Sequence, residues 1–341
     1  MKTEKPKFYE YEYWPVWLFY APFVPYWFLK SIQSASFSYF CRVNPGMRFG
    51  GFLDYSKYDI LKQIPQEFLP ETQFISHKNQ LRTALTFPFI AKPDWGERGV
   101  NVELIQSEEE WRNYPLNENL IIQQYIDLPL EFGIFYVNLE GKPQILSITG
   151  KEFMVFHSDG KTSIREFVLS NPRISSRAAY FSEKFKNEWN SVFPEGKQLV
   201  LEHIGNHNRG TRFFDASHLI TERLTLKISE ISKSIKGFNY GRFDVKTASE
   251  EDLKQGKFIV LEVNGANSEP THIYDESYTL RQAYGEVKRH FDYQYQIARK
   301  QTKTYSTISF YQAILKRIIH KKTVKMSVFQ LGMVYEKLRI K

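Results

Sequence analysis

The sequence predicts an α+β fold, with antiparallel strands and helices combined in one large domain. Stretches rich in β-branched and aromatic residues follow one another closely, as in hairpins, and helical patterns intervene only at intervals. This order differs from the strict strand–helix alternation of a doubly wound sheet. The composition is globular, since 42% of the 341 residues are hydrophobic and 25% are charged. We find no internal repeat and no low-complexity run.

Residues 1–50 form an aromatic-rich extension ahead of this domain. Between Glu12 and Lys30 lie 17 uncharged residues, YWPVWLFYAPFVPYWFL. A membrane-spanning helix needs about 20 apolar residues, and Pro15, Pro22 and Pro25 would interrupt its backbone hydrogen bonds, so we exclude a span. Two interpretations are kept: the aromatic side chains pack against a neighbouring element, or they lie at a membrane–water interface.

The elements of the central domain, residues 51–300, follow from local composition and periodicity. Strands are predicted at 87–92, 100–105, 119–125, 131–137, 144–149, 151–156, 240–245 and 257–263. Ser107 and Glu110 have the spacing of a capping box, which predicts a short helix around Trp111. A longer helix is predicted at 217–236, because apolar residues recur there on one helical face.

The net charge of +8 is concentrated at the C-terminus. Residues 305–341 contain eight basic residues and one acid, a net charge of +7, so the rest of the chain carries about +1. The high isoelectric point therefore does not indicate a nucleic-acid-binding body, and we predict no nucleic-acid partner.

The basic tail, residues 301–341, has an amphipathic pattern. Apolar residues recur at helical spacing at Ile308, Tyr311, Leu315 and Ile318, beside the basic residues Lys316, Arg317 and Lys321. This pattern is typical of helices that bind an anionic membrane surface, which would place the protein at the inner face of the membrane. The alternative is that the apolar side of the tail packs on the aromatic N-terminus.

Cysteine usage and the N-terminal sequence indicate a cytoplasmic protein. Cys41 is the single cysteine, which excludes an internal disulfide and favours a reducing compartment. The first residues, MKTEKPKFYEYEYW, lack the basic region and apolar stretch of a secretory signal.

The stretch FPFIAKPDWGERGVNVELI contains the first candidate binding site. A predicted strand ends at Lys92, a turn with Gly96 and Gly99 follows, and a second strand begins. Glycines let backbone N–H groups approach an anion closely, and a lysine adds a positive charge, so this pattern suits a phosphate. The alternative is an ordinary hairpin with a solvated lysine.

The stretch YGRFDVKTASEEDLKQGKFIVLEVNG contains the second candidate site. Asp244 lies on one predicted strand, and Glu262 and Asn264 lie two residues apart on the next, so their side chains leave the same face. Carboxylate and amide oxygens are the ligands that Mg²⁺ prefers. Arg242 shares the face of Asp244 and would place a cation beside a transferring phosphoryl group. The alternative is an exposed acidic strand edge.

Taken together, in this order and at this spacing, the two stretches resemble the ATP-grasp superfamily. The similarity runs from about Lys57 to about Asn267 and is carried by a Lys-Pro-x-x-Gly-x-x-Gly loop with Gly-Arg-Phe-Asp-Val and Leu-Glu-Val-Asn downstream. It implies ATP and Mg²⁺ as cofactors. It also implies two α+β subdomains that clasp the nucleotide, a small lid at about 86–124 and a large subdomain at about 125–300, behind a shortened N-terminal segment.

The resemblance assigns nucleotide contacts one residue at a time. Lys57 is similar in position to a nucleotide lysine of D-alanine–D-alanine ligases, and Lys92 to the second such lysine. The segment QQYID resembles the hinge strand that meets adenine, which makes nucleotide-binding residues of Gln123, Gln124, Tyr125 and Ile126. Glu131 resembles the acid that binds the ribose hydroxyls.

Two further loops resemble ligases that add amino acids to peptides or proteins. Lys151 and Asp159 keep the offset of a cyanophycin-synthetase segment, and Asn206 and Arg209 match a loop of ribosomal-protein glutamate ligases. The resemblance implies that Asn206 binds the nucleotide, that Arg209 faces the acyl-phosphate or the γ-phosphate, and that Lys151 and Arg242 also act in catalysis. For Arg209 the alternative is a surface turn with a solvated side chain.

The function implied by the resemblance is that of an ATP-dependent carboxylate–amine ligase working through an acyl-phosphate. Its substrates would be a small-molecule or peptide carboxylate and an amine. Alternatives are an ATP-grasp phosphotransferase, a D-alanine–D-alanine ligase-like enzyme and a non-catalytic nucleotide-binding module. The alanine ligases have a Pro-Gly segment after the position of Asn264, whereas this chain reads GANSEP, so their substrate pocket is not expected.

Overall fold

The computed structural model describes residues 10–76, 86–96, 99–115, 119–205, 209–301 and 307–316. The strands are β1 Thr72–Ile75, β2 Phe89–Pro93, β3 Glu103–Ile105, β4 Leu120–Gln124, β5 Leu130–Leu139, β6 Lys142–Glu152, β7 Val155–His157, β8 Gln198–Val200, β9 Arg212–Asp215, β10 Tyr240–Thr247 and β11 Ile259–Asn264. The helices are α1 Val16–Tyr20, α2 Val24–Gln33, α3 Lys57–Leu61, α4 Glu108–Asn113, α5 Ile164–Ser170, α6 Ala178–Lys184, α7 Glu222–Ser234, α8 Glu250–Lys254 and α9 Leu280–Ala298. Residues 307–316 form a further helix, called here the C-terminal helix.

The larger sheet has five strands in the order β11-β10-β5-β6-β9, and all neighbouring pairs are antiparallel. Along β10 the side chains alternate between two faces. Phe243 and Val245 are buried in the main core, together with Leu224 and Ile228 of α7. The opposite face carries the polar residues of this strand. The sheet therefore places a hydrophobic core on one side and a functional surface on the other.

The smaller sheet has four antiparallel strands in the order β1-β4-β2-β3. It has a core of its own, in which Phe89 and Ile122 pack with Trp111 of α4. The α+β class predicted from the sequence is confirmed by these two antiparallel sheets and their helices. The small sheet begins at β1, earlier than the predicted boundary at residue 86.

Three predicted elements differ most from the observed ones. The strands predicted at 144–149 and 151–156 are one strand, β6, as far as Glu152. Gly150, between the two predicted strands, lies inside β6 and is required for packing, since a Cβ there would lie 2.1 Å from Cζ of Phe214. The helix predicted from residue 217 begins only at Glu222, because the side chain of Thr221 accepts the backbone N–H of Leu224 and caps it.

The N-terminal extension is helical, and its prolines separate short segments. Pro15 precedes α1, and Pro25 lies in the first turn of α2. Phe19 and Phe23 are buried against Val287 of α9, so one face of the extension belongs to the body of the protein. Among the described residues, no helix has the length and apolar content that crossing a membrane requires.

The C-terminal helix packs on the same extension. Phe310 is buried between Phe40 and Phe52, with ring centroids 5.3 and 5.6 Å away. Ile308 and Leu315, on the outer side, are exposed. The helix therefore packs on the N-terminus through Phe310 and Ala313, whereas the predicted apolar residues Ile308, Tyr311 and Leu315 are exposed, so the second interpretation of the tail is wrong for these three residues. Ile318 and the rest of the tail lie outside the described residues.

Asn44 connects the extension to the large sheet, and its loss should destabilise the fold. Its buried side chain donates to the carbonyls of Gly50 and Tyr240 at 2.9 and 2.8 Å and accepts the N–H groups of Asn239 and Tyr240 at 2.8 and 2.9 Å. Each buried group left unpaired costs about 1–3 kcal/mol. We expect Asn44→Ala to lower the free energy of unfolding by about 3 kcal/mol in urea titrations. The exposed Asn187→Ala is the control, and a loss below about 1 kcal/mol for Asn44→Ala would contradict this account.

Candidate active site

A cavity of about 980 Å³ lies between the two sheets and is lined by residues from both. Lys92 of β2 and Gly99 face it from the small sheet and its loop, and Asp244 and Glu262 face it from the large sheet. Ligand pockets have volumes of about 300–1,000 Å³, so this cleft lies at the upper end of that range. The two lobes predicted to clasp a ligand do enclose one cleft.

The predicted metal ligands lie together on one face of the large sheet. Asp244 and Glu262 are direct cross-strand partners, as are Arg242 and Asn264. Directly opposed residues of an antiparallel pair project to the same face. The side chain of Asn264 donates to Oδ2 of Asp244 at 3.1 Å, and the guanidinium of Arg242 donates to both Asp244 oxygens at 3.0 and 3.1 Å. The alternative of an exposed acidic edge is wrong, because Asp244 is buried.

Three lysines from separate elements place their ammonium groups on this face. Nζ of Lys57, in the first turn of α3, lies 2.8 Å from Glu262. Nζ of Lys151, at the end of β6, lies 2.6 Å from Glu131 and 3.2 Å from Asp244. Nζ of Lys92 donates to the carbonyl of Leu261 at 3.0 Å. The alternative of a solvated Lys92 is wrong, since this side chain is buried.

Among the residues that the structure describes, positive charge is in excess on this sheet face. Its cationic side chains are Lys57, Lys92, Lys151, Arg242 and Lys246, and its carboxylates are Glu131, Asp244 and Glu262. Two further carboxylates line the same cavity: Arg173 pairs with Glu12 at 2.6 Å, and the Tyr20 hydroxyl donates to Glu269 at 2.6 Å. The backbone carbonyl of Glu269 accepts from Arg242 at 3.3 Å. Buried charge without a partner is costly, so the sheet face is suited to a polyanionic ligand.

The pKa values of the central groups reflect burial and charge together. Burial lowers the pKa of Lys92 to about 8, against the opposing influence of Glu262. Burial by itself would raise the pKa of Asp244, but Arg242 and Lys151 lower it to about 2. Burial by itself would also raise the pKa of Glu262, but Lys57 and Lys92 lower it, and the net result is a lowered pKa. Both carboxylates are therefore ionised at neutral pH and available to a cation.

The donor set fits Mg²⁺ bound together with phosphates. Within the described part of the chain, no group of three or more His, Cys, Asp or Glu side chains could enclose a metal ion. The predicted set is instead two carboxylates and the amide of Asn264. Mg²⁺ usually binds through one or two carboxylates plus substrate phosphates and water, which is what two acids beside a polyanion site can supply.

The predicted hinge residues line the cleft at the end of β4. Gln123, Gln124, Tyr125 and Ile126 all contribute to its wall. The Nζ atom of Lys246 donates to the carbonyl of Ile126 at 3.0 Å and lies 5.0 Å from the centre of the Tyr125 ring. That these residues contact adenine, and that Glu131 contacts ribose, stays a prediction.

Arg209 lies against the glycine loop in the described structure. Its guanidinium donates to the carbonyls of Gly99 and Val102 at 2.8 and 2.9 Å and lies 3.4 Å from the buried Glu202. The alternative of a solvated arginine is wrong. Contact of Arg209 with a phosphate stays a prediction. Asn206 lies outside the described residues.

Two further predicted residues lie away from the cavity wall. Gly96 is not among the residues that line the cleft, although Gly99 of the same loop is. Asp159 accepts the N–H groups of Lys161 and Thr162 at 2.9 and 2.7 Å and so caps its own exposed turn.

Replacing Arg209 should loosen the glycine loop. In Arg209→Ala we expect faster hydrogen exchange at backbone amides 99–105 and about tenfold weaker ATP binding, because the loop loses its tie to the large sheet. Arg212→Ala is the matched control, since Arg212 pairs with Glu152 and Glu276 away from the loop. Weaker ATP binding with unchanged exchange would instead favour direct contact between Arg209 and a phosphate.

Sequence reasoning missed two residues of this region. Arg242, Asp244 and Lys246 are every second residue of β10, so the periodicity of a strand predicts that Lys246 also lies on the cleft face. Glu202 holds both Arg209 and Arg177, at 3.4 and 3.3 Å. No local pattern marks Glu202, because its partners come from other segments.

No family model matches the chain, and no curated protein matches it. Solved structures do match. They include a bifunctional glutathione synthetase from Pasteurella multocida (15% identity, 69% of this chain and 36% of that chain, TM-score 0.37). They also include an L-amino acid ligase from Bacillus licheniformis (14%, 73% and 47%, TM-score 0.38) and the ATP-grasp ligase PsnB with a minimal precursor (13%, 70% and 59%, TM-score 0.36).

These solved proteins are ligases or synthetases. One of them carries the family name that the sequence motifs indicate. The chain spans about a third to three fifths of their lengths. Because the TM-scores are below 0.5, the superpositions carry no weight for function, which depends on the residues of the cleft.

Proposed function

We propose that this protein is an ATP-grasp enzyme that uses ATP and Mg²⁺ to join a carboxylate to an amine. The observation that carries the proposal is the sheet face between the two lobes, where Lys57, Lys92, Lys151 and Arg242 lie around the ionised pair Asp244 and Glu262, and Lys246 lies further along the same face. A nucleoside triphosphate with Mg²⁺ supplies the negative charge that the cations lack and the positive charge that the two carboxylates accept.

In this proposal the residues of the cleft have three separate roles. Asp244, Glu262 and Asn264 would hold Mg²⁺, which neutralises phosphate charge when bound. Lys57, Lys92 and the loop at Gly99 would bind the phosphates from the other side. Arg242 and Lys151 would stabilise charge at the transferring group. Positioning and electrostatic stabilisation dominate such chemistry, so a dedicated general base is not required.

The reaction has two steps. A carboxylate oxygen of the first substrate attacks the γ-phosphorus of ATP, the bond to the bridging oxygen breaks, and ADP leaves. The amine nitrogen of the second substrate then attacks the acyl carbon, inorganic phosphate leaves, and the proton lost by the amine passes to solvent. One oxygen of the original carboxylate therefore ends in phosphate.

The oxygen balance gives the decisive experiment. The full-length protein is incubated with ATP, Mg²⁺ and a panel of ¹⁸O-labelled carboxylates, D-alanine among them, with amino acids and peptides as amines. Products are followed by mass spectrometry. A ligase yields ADP, an amide and ¹⁸O-labelled phosphate, whereas a phosphotransferase yields ADP and a stable phosphorylated product. Absence of Mg²⁺-dependent ATP turnover across the panel would leave only a nucleotide-binding module.

We further propose that the outer face of the N-terminal extension contacts an anionic membrane. Trp17 and Ile32 are 72% and 60% exposed, and Ile308 of the C-terminal helix is 70% exposed. Phe37 connects the exposed residues of the N-terminal extension with those of the C-terminal helix. Its ring lies 5.7 Å from that of Phe28, and the neighbouring Ser38 contacts Thr307 at 3.2 Å. The basic tail continues from this surface in the sequence and supplies charge of the sign that anionic lipids attract.

Vesicle co-sedimentation tests the membrane contact. We expect the protein to bind vesicles of phosphatidylglycerol more than those of phosphatidylcholine, and salt to reduce the bound fraction. Trp17→Glu and Ile32→Glu should each lower it severalfold. Leu226→Glu on α7 is the matched control, because Leu226 is also 60% exposed but lies on a different element. Unchanged sedimentation of the two N-terminal variants, or of a chain lacking residues 317–341, would remove this proposal.

A further inference from the structure

The cleft continues beyond the charged residues into an apolar chamber. This chamber is lined by Trp27, Phe40, Phe52, Tyr240, Phe310 and Ile314. Most of its wall comes from the N-terminal extension and the C-terminal helix, and the remainder from Phe52 and from Tyr240 of β10. Aromatic and aliphatic side chains dominate the lining, which favours an apolar ligand.

Strand β10 shows how the chamber is placed relative to the charged site. Lys246, at one end, binds the carbonyl of Ile126 in the predicted hinge, and Asp244 and Arg242 follow along the same face. Tyr240, at the other end of the strand, lines the chamber. Six residues of β-strand span about 20 Å. A nucleotide with its base at the hinge and its phosphates at Asp244 would therefore leave the chamber to a second molecule.

A buried histidine forms part of the chamber wall. His290 lines the cavity and is buried, and its Nδ1 lies 2.9 Å from the Tyr240 hydroxyl. Its Nε2 has no hydrogen-bond partner in the part of the chain that the structure describes. This atom is enclosed by protein and out of reach of a ligand, so His290 adds only ring surface to the chamber wall.

We infer that the substrate joined in the proposed reaction carries a hydrocarbon or aromatic body, which occupies the apolar chamber while its reacting end lies near Arg242. This inference rests on the proposed function, since it assigns the chamber to a substrate of that reaction. It predicts an amphipathic substrate rather than a small polar amino acid.

Binding of 11-(dansylamino)undecanoic acid to the full-length protein tests the chamber without catalysis. We expect saturable fluorescence enhancement in the wild type and at least a tenfold weaker affinity in Ile314→Trp, because the indole fills the chamber. Gln312→Trp is the matched control on the same helix, where the side chain is exposed, and it should bind as the wild type does. Equal binding by the two variants, or no saturable binding by the wild type, would overturn the inference.

A second measurement uses the wild-type protein alone and so does not depend on the folding of a variant. Unlabelled straight-chain carboxylates should displace the probe with affinity rising about threefold for each added methylene. Competition that does not depend on chain length would contradict an apolar chamber. Binding of a fluorescent ATP analogue is measured in parallel. If it fails while the chain-length series holds, the proposed function is wrong and the chamber remains an apolar site.

Discussion

Without nucleotide, the Lys92→Met variant should be more stable than the wild type at pH 7 by about 3 kcal/mol. Burial lowers the pKa of Lys92 from 10.5 to about 8, so the folded protein holds this proton less tightly than the unfolded chain does. Each unit of pKa corresponds to about 1.4 kcal/mol. Methionine has a similar length and no charge, so it removes the penalty. The comparison is made by urea unfolding of both proteins.

The pH dependence has a defined sign. Between about pH 8 and 10.5 the unfolded chain binds more protons at this lysine than the folded protein does, so wild-type stability rises with pH across this window. The advantage of Lys92→Met should therefore shrink above pH 8 and vanish near pH 10.5. Lys257→Met is the control, since the Lys257 side chain is 70% exposed. A variant that is less stable than the wild type at pH 7 would contradict the assignment of a penalty to Lys92.

The same substitution should weaken ATP binding by about a hundredfold, because a buried charge that pairs with a phosphate is lost. A substitution that stabilises the free protein and weakens ligand binding identifies a residue that serves binding at a cost to folding stability. A lysine that only supports the fold would give the opposite results: Lys92→Met would be less stable than the wild type and would bind ATP as tightly. Wild-type ATP affinity in Lys92→Met would show that the lysine does not contact the phosphates.

Local pattern predicted the sheet elements that carry the site, because their side-chain periodicity is strong. The predicted strands at 240–245 and 257–263 overlap β10 and β11, and the two-residue spacing correctly placed Asp244, Glu262 and Asn264 on one face. Strand β1 was missed, because TQFI is short and lacks clear alternation. The division into strands at 144–149 and 151–156 was wrong for a tertiary reason, because Gly150 continues β6 and leaves room for the Phe214 ring that lies over it.

What the sequence could not show depends on contacts between distant segments. The contact of Arg209 with the glycine loop joins residues 110 positions apart. The apolar chamber is closed by rings such as Phe40 and Phe310, which come from opposite ends of the chain. Periodicity identifies the face on which a residue lies, but not which distant element covers that face.

Replacing either carboxylate of the central pair should abolish Mg²⁺-dependent ATP turnover. We expect Asp244→Asn and Glu262→Gln each to reduce it by at least about a hundredfold, because the divalent ion loses a charged ligand at the transferring phosphate. Turnover is followed as ADP release at increasing Mg²⁺, and Mn²⁺ binding in the presence of ATP is followed by electron paramagnetic resonance. Both variants should need much higher metal concentrations than the wild type.

The control for this pair lies in the same cleft. Glu131→Gln removes a carboxylate that pairs with Lys151 at 2.6 Å, as Asp244 does at 3.2 Å, but Glu131 is assigned to ribose and not to metal. It should weaken ATP binding modestly and leave the Mg²⁺ requirement unchanged. Asp244→Asn also removes the negative charge with which Arg242 and Lys151 pair, so cooperative unfolding of this variant is checked in parallel. Wild-type turnover in a folded Asp244→Asn or Glu262→Gln variant would show that the pair does not hold the metal, and equal metal dependence in all three variants would show that the effect is only loss of charge.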